Sequence, residues 1–214
     1  MLTHNMNQRV VIFDTETTGL PKDRNQIAVA AAGNWPDIVS ICWHVYDNGV
    51  LWKKEHHIIK PFGWTIPEDS TKIHGITQER AMQDGQSLKD ILDDFKADAK
   101  SCDRLVAHNF AFDSNVLMNA YKWRLGEDCG GWWPYKAEFC TMMVAAEELK
   151  IPGPKGYKWP RLDDLYMATF NEPAPAGAHS ADRDVEVLAK IYFKRYSNID
   201  LEEMGNIIHS CTIM

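Results

Sequence analysis

The string Val10-Val11-Ile12-Phe13-Asp14-Thr15-Glu16 constrains the fold of this chain more than any other. An apolar run rich in β-branched residues reads as a buried strand over 9–13. It ends in two carboxylates one residue apart. Side chains alternate across a strand, so positions i and i+2 share a face. Asp14 and Glu16 therefore point the same way from the end of a buried strand. Carboxylates held that close repel unless a proton or a cation lies between them. A chain that keeps both points to a divalent metal.

The rest of the chain supplies a sheet for that strand to sit in. A second strand spans 37–46 and a third 50–59, and the Asn48-Gly49 between them is a hairpin signal. Ser87 opens a helix as N-cap, with Leu88, Ile91, Leu92, Phe95 and Ala99 at helical spacing. A short buried strand covers 104–107. Helices follow over 112–123 (Val116, Leu117, Ala120 and Tyr121 inward), 141–149, 161–170 and 180–196. A three-strand antiparallel run followed by alternating helix and strand predicts an α/β domain with a mixed central sheet flanked by helices. The expected limits are a short tail over 1–8, one domain over 9–196 and a second tail over 197–214. Segments 126–131 and 173–177 read as loops, and 22–35 as a long connection of unassigned role.

Composition narrows the class. No apolar stretch approaches the roughly 18 residues of a membrane span, and the first nine residues lack an apolar signal core. Five scattered cysteines with no CxxC pair predict a reduced, intracellular, cytoplasmic protein without structural zinc. A formal net charge of −7 argues against a protein that coats nucleic acid nonspecifically, though not against one with a local site. The last four residues, Cys211-Thr212-Ile213-Met214, match a prenylation pattern, but no polybasic run precedes them.

Two further strings carry carboxylates at helix starts. Asp113 closes His108-Asn109-Phe110-Ala111-Phe112-Asp113, where a strand leads into a helix. His179 and Asp184 close the third, His179-Ser180-Ala181-Asp182-Arg183-Asp184, with His179 on the loop before the last helix. Taken singly, each has an ordinary reading: Asp14 and Glu16 as a solvated strand end, Asp113 as a charge complementing a helix dipole.

Together the three strings, in order, resemble the DxExTG, HNxxFD and HxxxxD blocks of the DEDDh (DnaQ-like) exonucleases, which have a ribonuclease H-like fold. Ile73-His74-Gly75-Ile76-Thr77 is similar to the family's His-Gly-Ile-Thr segment, and the likeness spans about residues 9–196. It implies a 3′→5′ exonuclease that releases nucleoside 5′-monophosphates with two divalent ions, Mg²⁺ or Mn²⁺. Carried over by position, Asp14 bridges the ions, Glu16 and Asp184 complete the first site, and Asp113 supports the second through water. Carboxylate and water ligands suit such hard ions. His179 takes the proton from the attacking water, a role suited to imidazole at neutral pH. Asp182 is the competing ligand in the third block, and the family spacing favours Asp184. Thr15, Thr17, Gly19 and Leu20 would cradle the terminal nucleotide, with His74 and Asn109 lining the site. His108 reads as structural, with a supporting or substrate-contacting role as the alternative. The implied partner is nucleic acid with a free 3′ end, single-stranded DNA or RNA, with no membrane; the family also contains homodimers and polymerase-associated members. The competing function is a noncatalytic nucleic-acid or polymerase-binding module with the same fold. A third reading is an enzyme for very short oligonucleotides.

Overall fold

The computed structural model describes residues 8–128, 133, 137–154 and 156–198. Strand β1 (Arg9–Thr17) lies at the centre of a five-stranded sheet of order β3-β2-β1-β4-β5. It runs antiparallel to β2 (Ile38–Asp47), which pairs antiparallel with β3 (Val50–Ile58). The β2–β3 turn is Asn48-Gly49, both with positive φ (53° and 78°), the geometry that matches a two-residue turn to strand twist. On its other side β1 pairs in parallel with β4 (Arg104–Ala107), and β4 in parallel with β5 (Ala137–Cys140). This is the mixed sheet that the sequence predicts.

Strand alternation divides the interior into two layers. Val11 and Phe13 face one layer with Trp43 and Leu105, packed under α3 (Leu88–Ser101) and α4 (Phe110–Asn119). Val10 and Ile12 face the other with Val106 and Phe139, under α5 (Thr141–Leu149), α6 (Leu162–Phe170) and α7 (Ala181–Arg195). Helix α3 begins as expected: the Ser87 hydroxyl accepts the Asp90 N–H at 3.4 Å, and Ile91, Leu92, Phe95 and Ala99 are buried. Helix α7 starts after Ser180, also as expected.

Several elements differ from the sequence expectation. Two seven-residue helices, α1 (Glu68–His74) and α2 (Gln78–Asp84), flank the Gly75-Ile76-Thr77 link. Gly75 takes a left-handed conformation and donates to the Thr71 carbonyl at 2.7 Å, while Thr77 accepts the Arg80 N–H at 3.1 Å. Each helix is too short to show a periodic apolar face. Strand β5 is also unanticipated, since four residues give no alternation to read. The helix expected over 112–123 starts at Phe110 and widens into a π-turn over Ala120–Arg124, whose Trp123 donates to the Ala28 carbonyl at 2.8 Å. A two-residue hairpin, β6 (Pro152–Gly153) with β7 (Gly156–Tyr157), folds the Pro/Gly-rich stretch before α6.

The 22–35 connection is organised. Asn34 receives the Asp23 N–H and donates to the Asp23 and Gln26 carbonyls, and the Ala28 N–H reaches Asn115 of α4 at 2.7 Å. Most of the two expected tails, part of the 126–131 loop, Cys129 and the Cys211–Met214 pattern lie outside the described residues. Among the described residues no helix is long and apolar enough to cross a membrane.

Candidate active site

All eleven residues singled out by the sequence line one cleft of about 620 Å³ at the end of β1. Asp14 and Glu16 continue the Val10–Ile12 face, the one that α7 covers. Asp184 lies one turn into α7, its N–H bonded to the Ser180 carbonyl at 2.9 Å. Carboxylate oxygens of Asp14, Glu16 and Asp184 lie within 4.8 Å of one another. Asp113 comes from the opposite layer. Thr15 shares the Val11–Phe13 face that α4 covers, and Asp113 Oδ1 accepts both the Thr15 N–H (3.1 Å) and the Thr15 hydroxyl (2.6 Å). Helices from both sides of the sheet thus converge on the last residues of the central strand.

Burial and mutual repulsion dominate the electrostatics. Burial raises the Asp14 carboxyl well above the usual range, with Asp113, Glu16 and Asp184 adding to the effect. Burial, then Asp184 and Asp113, push Glu16 up to about 8. Burial carries Asp113 up to about 7 against the Thr15 hydrogen bonds. Asp184 is raised by burial despite its partners. One partner is Arg183, whose Nη1 lies 2.7 Å from both Asp184 Oδ1 and Asp163 Oδ1, and whose Nε donates to the Pro175 carbonyl at 2.9 Å. Buried carboxylates that favour protons so strongly are short of positive charge. An all-oxygen donor set at this spacing fits a hard divalent cation.

His179 sits on the exposed loop ahead of α7 with a left-handed backbone (φ 65°), and its N–H donates to Asp184 Oδ2 at 3.1 Å. Such a conformation costs a non-glycine residue on the order of 1 kcal/mol. Asp182 stands apart: it accepts the Ser180 hydroxyl and does not line the cleft. Asp184, not Asp182, joins the carboxylate group.

The remaining expected residues are placed by backbone geometry. Thr17 donates to the Gly19 carbonyl at 2.8 Å, folding the chain so that Leu20 projects into solvent, 66% exposed. His74 accepts the Ile76 N–H at Nδ1 (3.1 Å), so its proton sits on Nε2, next to the Thr17 backbone. Asn109, left-handed at φ 71°, precedes α4 without capping it, which leaves its amide to the cleft. His108 also lines the cleft, and its ring joins Thr141 Oγ1 (2.9 Å) to the Pro160 carbonyl (3.0 Å); burial lowers it to about 4.

The cleft also contains residues that the sequence did not single out, among them Ile73, Phe112, Trp159 and Arg161. The available signal was modest. Trp159 lies between Lys158 and Arg161 in a Pro/Gly-rich segment, an aromatic flanked by cations where no core is formed.

A model of the exonuclease family RNase_T matches residues 11–192. DNA polymerase III subunit epsilon of Buchnera aphidicola subsp. Schizaphis graminum is 30% identical over 88% of this chain and 74% of its own length. The PolC-type DNA polymerase III of Mycoplasmopsis pulmonis is 29% identical over 94% of this chain, which spans only 12% of that polymerase. Among solved structures, the zinc-bound complex of Escherichia coli ExoI with single-stranded DNA superposes with a TM-score of 0.68 at 19% identity. That match covers 92% of this chain and 42% of ExoI, and shows the ribonuclease H-like fold.

Proposed function

The chain belongs to the RNase_T exonuclease family, and we propose that it is a metal-dependent 3′→5′ exonuclease acting at the four carboxylates of the β1 cleft. The observation that carries this reading is the convergence of Asp14, Glu16 and Asp184 within 4.8 Å, with Asp113 buried beside them on Thr15. Asp14, Glu16 and Asp184 would hold one divalent ion, Mg²⁺ or Mn²⁺, and Asp14 with Asp113 would hold a second. Asp113 has Oδ1 engaged by Thr15 and offers the other oxygen, which suits support of the second site through water. Bound there, the ions supply Lewis-acid activation of the attacking water and offset charge on the leaving oxygen.

The chain's own groups do the rest. His179, on its loop, takes a proton from the attacking water and can then exchange it with solvent. The Thr15–Leu20 turn and His74 hold the terminal nucleotide: Leu20 offers an apolar surface to the base, and the His74 ring braces the turn beside Thr17 where it lines the cleft. The substrate class is nucleic acid with a free 3′ end. Single-stranded DNA is the first choice, on the strength of the ExoI complex. A polymerase as partner is supported by the two relatives named after DNA polymerase III.

The test is digestion of matched 5′-labelled single-stranded DNA and RNA with Mg²⁺, Mn²⁺ or EDTA, alongside Asp14→Ala. The expected result is a ladder shortening from the 3′ end, lost in EDTA and in the variant, with the faster polymer naming the substrate. Turnover that survives Asp14→Ala in a folded protein overturns the site assignment.

A further inference from the structure

On the footing of the exonuclease reading, we infer that the strap formed by residues 151–154 and 156–161 is a stacking platform for a single-stranded nucleotide other than the one being cleaved, with Trp159 stacking on the base and Lys158 and Arg161 taking the phosphates. The strap is tied at both ends. Its hairpin pairs Pro152–Gly153 with Gly156–Tyr157, and the Lys158 N–H closes it on the Ile151 carbonyl at 2.8 Å. A side chain at Gly153 would come within 3.1 Å of the Lys158 nitrogen, so that close return favours glycine. At its far end the buried His108 ring bonds the Pro160 carbonyl at 3.0 Å, tying the strap to the start of α4, the helix that carries Asp113.

The strap nevertheless presents large side chains to water. Trp159 is 63% exposed, although it lines the same cleft as the carboxylates. The Lys158 ammonium and the Arg161 guanidinium share a single carboxylate, Asp164, at 3.6 and 3.5 Å. Asp163, the neighbouring carboxylate, is paired with Arg183, so Lys158 and Arg161 together face one carboxylate beside the indole. Apolar face and phosphate-seeking charge in one segment match a single-stranded polynucleotide, in which every base has a face to stack and every linkage a charge. A protein partner would need apolar area without that charge pattern. The terminal nucleotide already has its contacts at Thr15–Leu20 and His74, so the platform serves a neighbouring one. Stacking of this kind does not select between bases.

Binding is measured by fluorescence anisotropy in EDTA with a 5′-labelled oligothymidylate, and by competition with thymidine 5′-monophosphate. Trp159→Ala is expected to raise the Kd of the oligonucleotide about tenfold and that of the monophosphate less than twofold, and Trp159→Phe to restore most of the loss. Thermal unfolding of each variant checks the fold. An unchanged oligonucleotide Kd overturns the platform. So does an equal loss for both ligands, which would mean damage to the cleft as a whole. Because these readouts need no hydrolysis, failure of the exonuclease reading would show separately, as absence of a ladder in the digestion experiment.

Discussion

At the scale of single residues, the site is a concentration of negative charge that the fold tolerates by holding protons. Glu16 rises from 4.5 to about 8 and Asp113 from 3.8 to about 7, and Asp14 and Asp184 are also raised. Where the folded chain binds more protons than the unfolded one, stability falls as pH rises. For Glu16 the contribution is complete below pH 4.5 and is lost as pH climbs through about 8. Buried histidines act with the opposite sign at lower pH. His44 and His108 drop from 6.5 to about 4 through burial, so they cost stability as pH falls below 6.5. Between pH 6.5 and 8 these two histidines are silent and the carboxylates are not. In EDTA the melting temperature should therefore fall across that window, more shallowly in Glu16→Gln. Added Mg²⁺ should recover it most at the high end, where the ion displaces the fewest protons. A flat or rising curve in EDTA would show that the carboxylates are ionised in the metal-free fold, contrary to their burial.

At the scale of elements, β1 distributes the chemistry by alternation: Asp14 and Glu16 on the face of α7, Thr15 on the face of α4, so that each helix delivers one carboxylate to the same strand end. The four carboxylates sit on regular elements, and His179 sits on the loop before one. That division predicts different failures. His179→Ala should lower the rate by ~10²–10⁴ at neutral pH while the Mg²⁺ affinity, read by calorimetry, stays within a few-fold of wild type. A collapse of metal affinity would make His179 a ligand instead of a base. The same division explains what could be read in advance. Asp14 and Glu16 are legible as a pair from the two-residue strand repeat; that Asp113 and Asp184 join them is what the resemblance of the three blocks to the DEDDh exonucleases implies, because no local rule brings the starts of α4 and α7 to the end of β1. Strand β5 and helices α1 and α2 were not legible, because four or seven residues carry no period and their existence depends on the sheet edge or the Gly75 turn. Trp159 and Arg161 were missed for a related reason. Nothing local in 151–161 says that a buried His108 fifty residues earlier holds Pro160 against the cleft.

At the scale of the whole molecule, a net charge of −7 requires that the proposed binding of a polyanion be local. Among the described residues many surface cations are paired: Lys53 with Asp98, Lys72 with Asp69, Arg124 with Asp37, Arg195 with Glu148, and Lys54 with Glu186. Beside the cleft, Lys158 and Arg161 share the single carboxylate of Asp164. Each phosphate neutralised on a single strand contributes about −0.7 to the slope of log K against log salt. Two such contacts predict a slope of about −1.4 for oligothymidylate in EDTA, shallow for a protein that binds nucleic acid. Arg161→Ala should make it shallower by about 0.7, and Arg124→Ala should leave it unchanged, because that guanidinium is held in a two-pronged pair with Asp37. A slope near −4 would mean that the strand follows a longer basic track away from the cleft. The measured slope therefore counts the phosphates that the protein touches, and a count near two is what a site confined to the end of β1 and its strap requires.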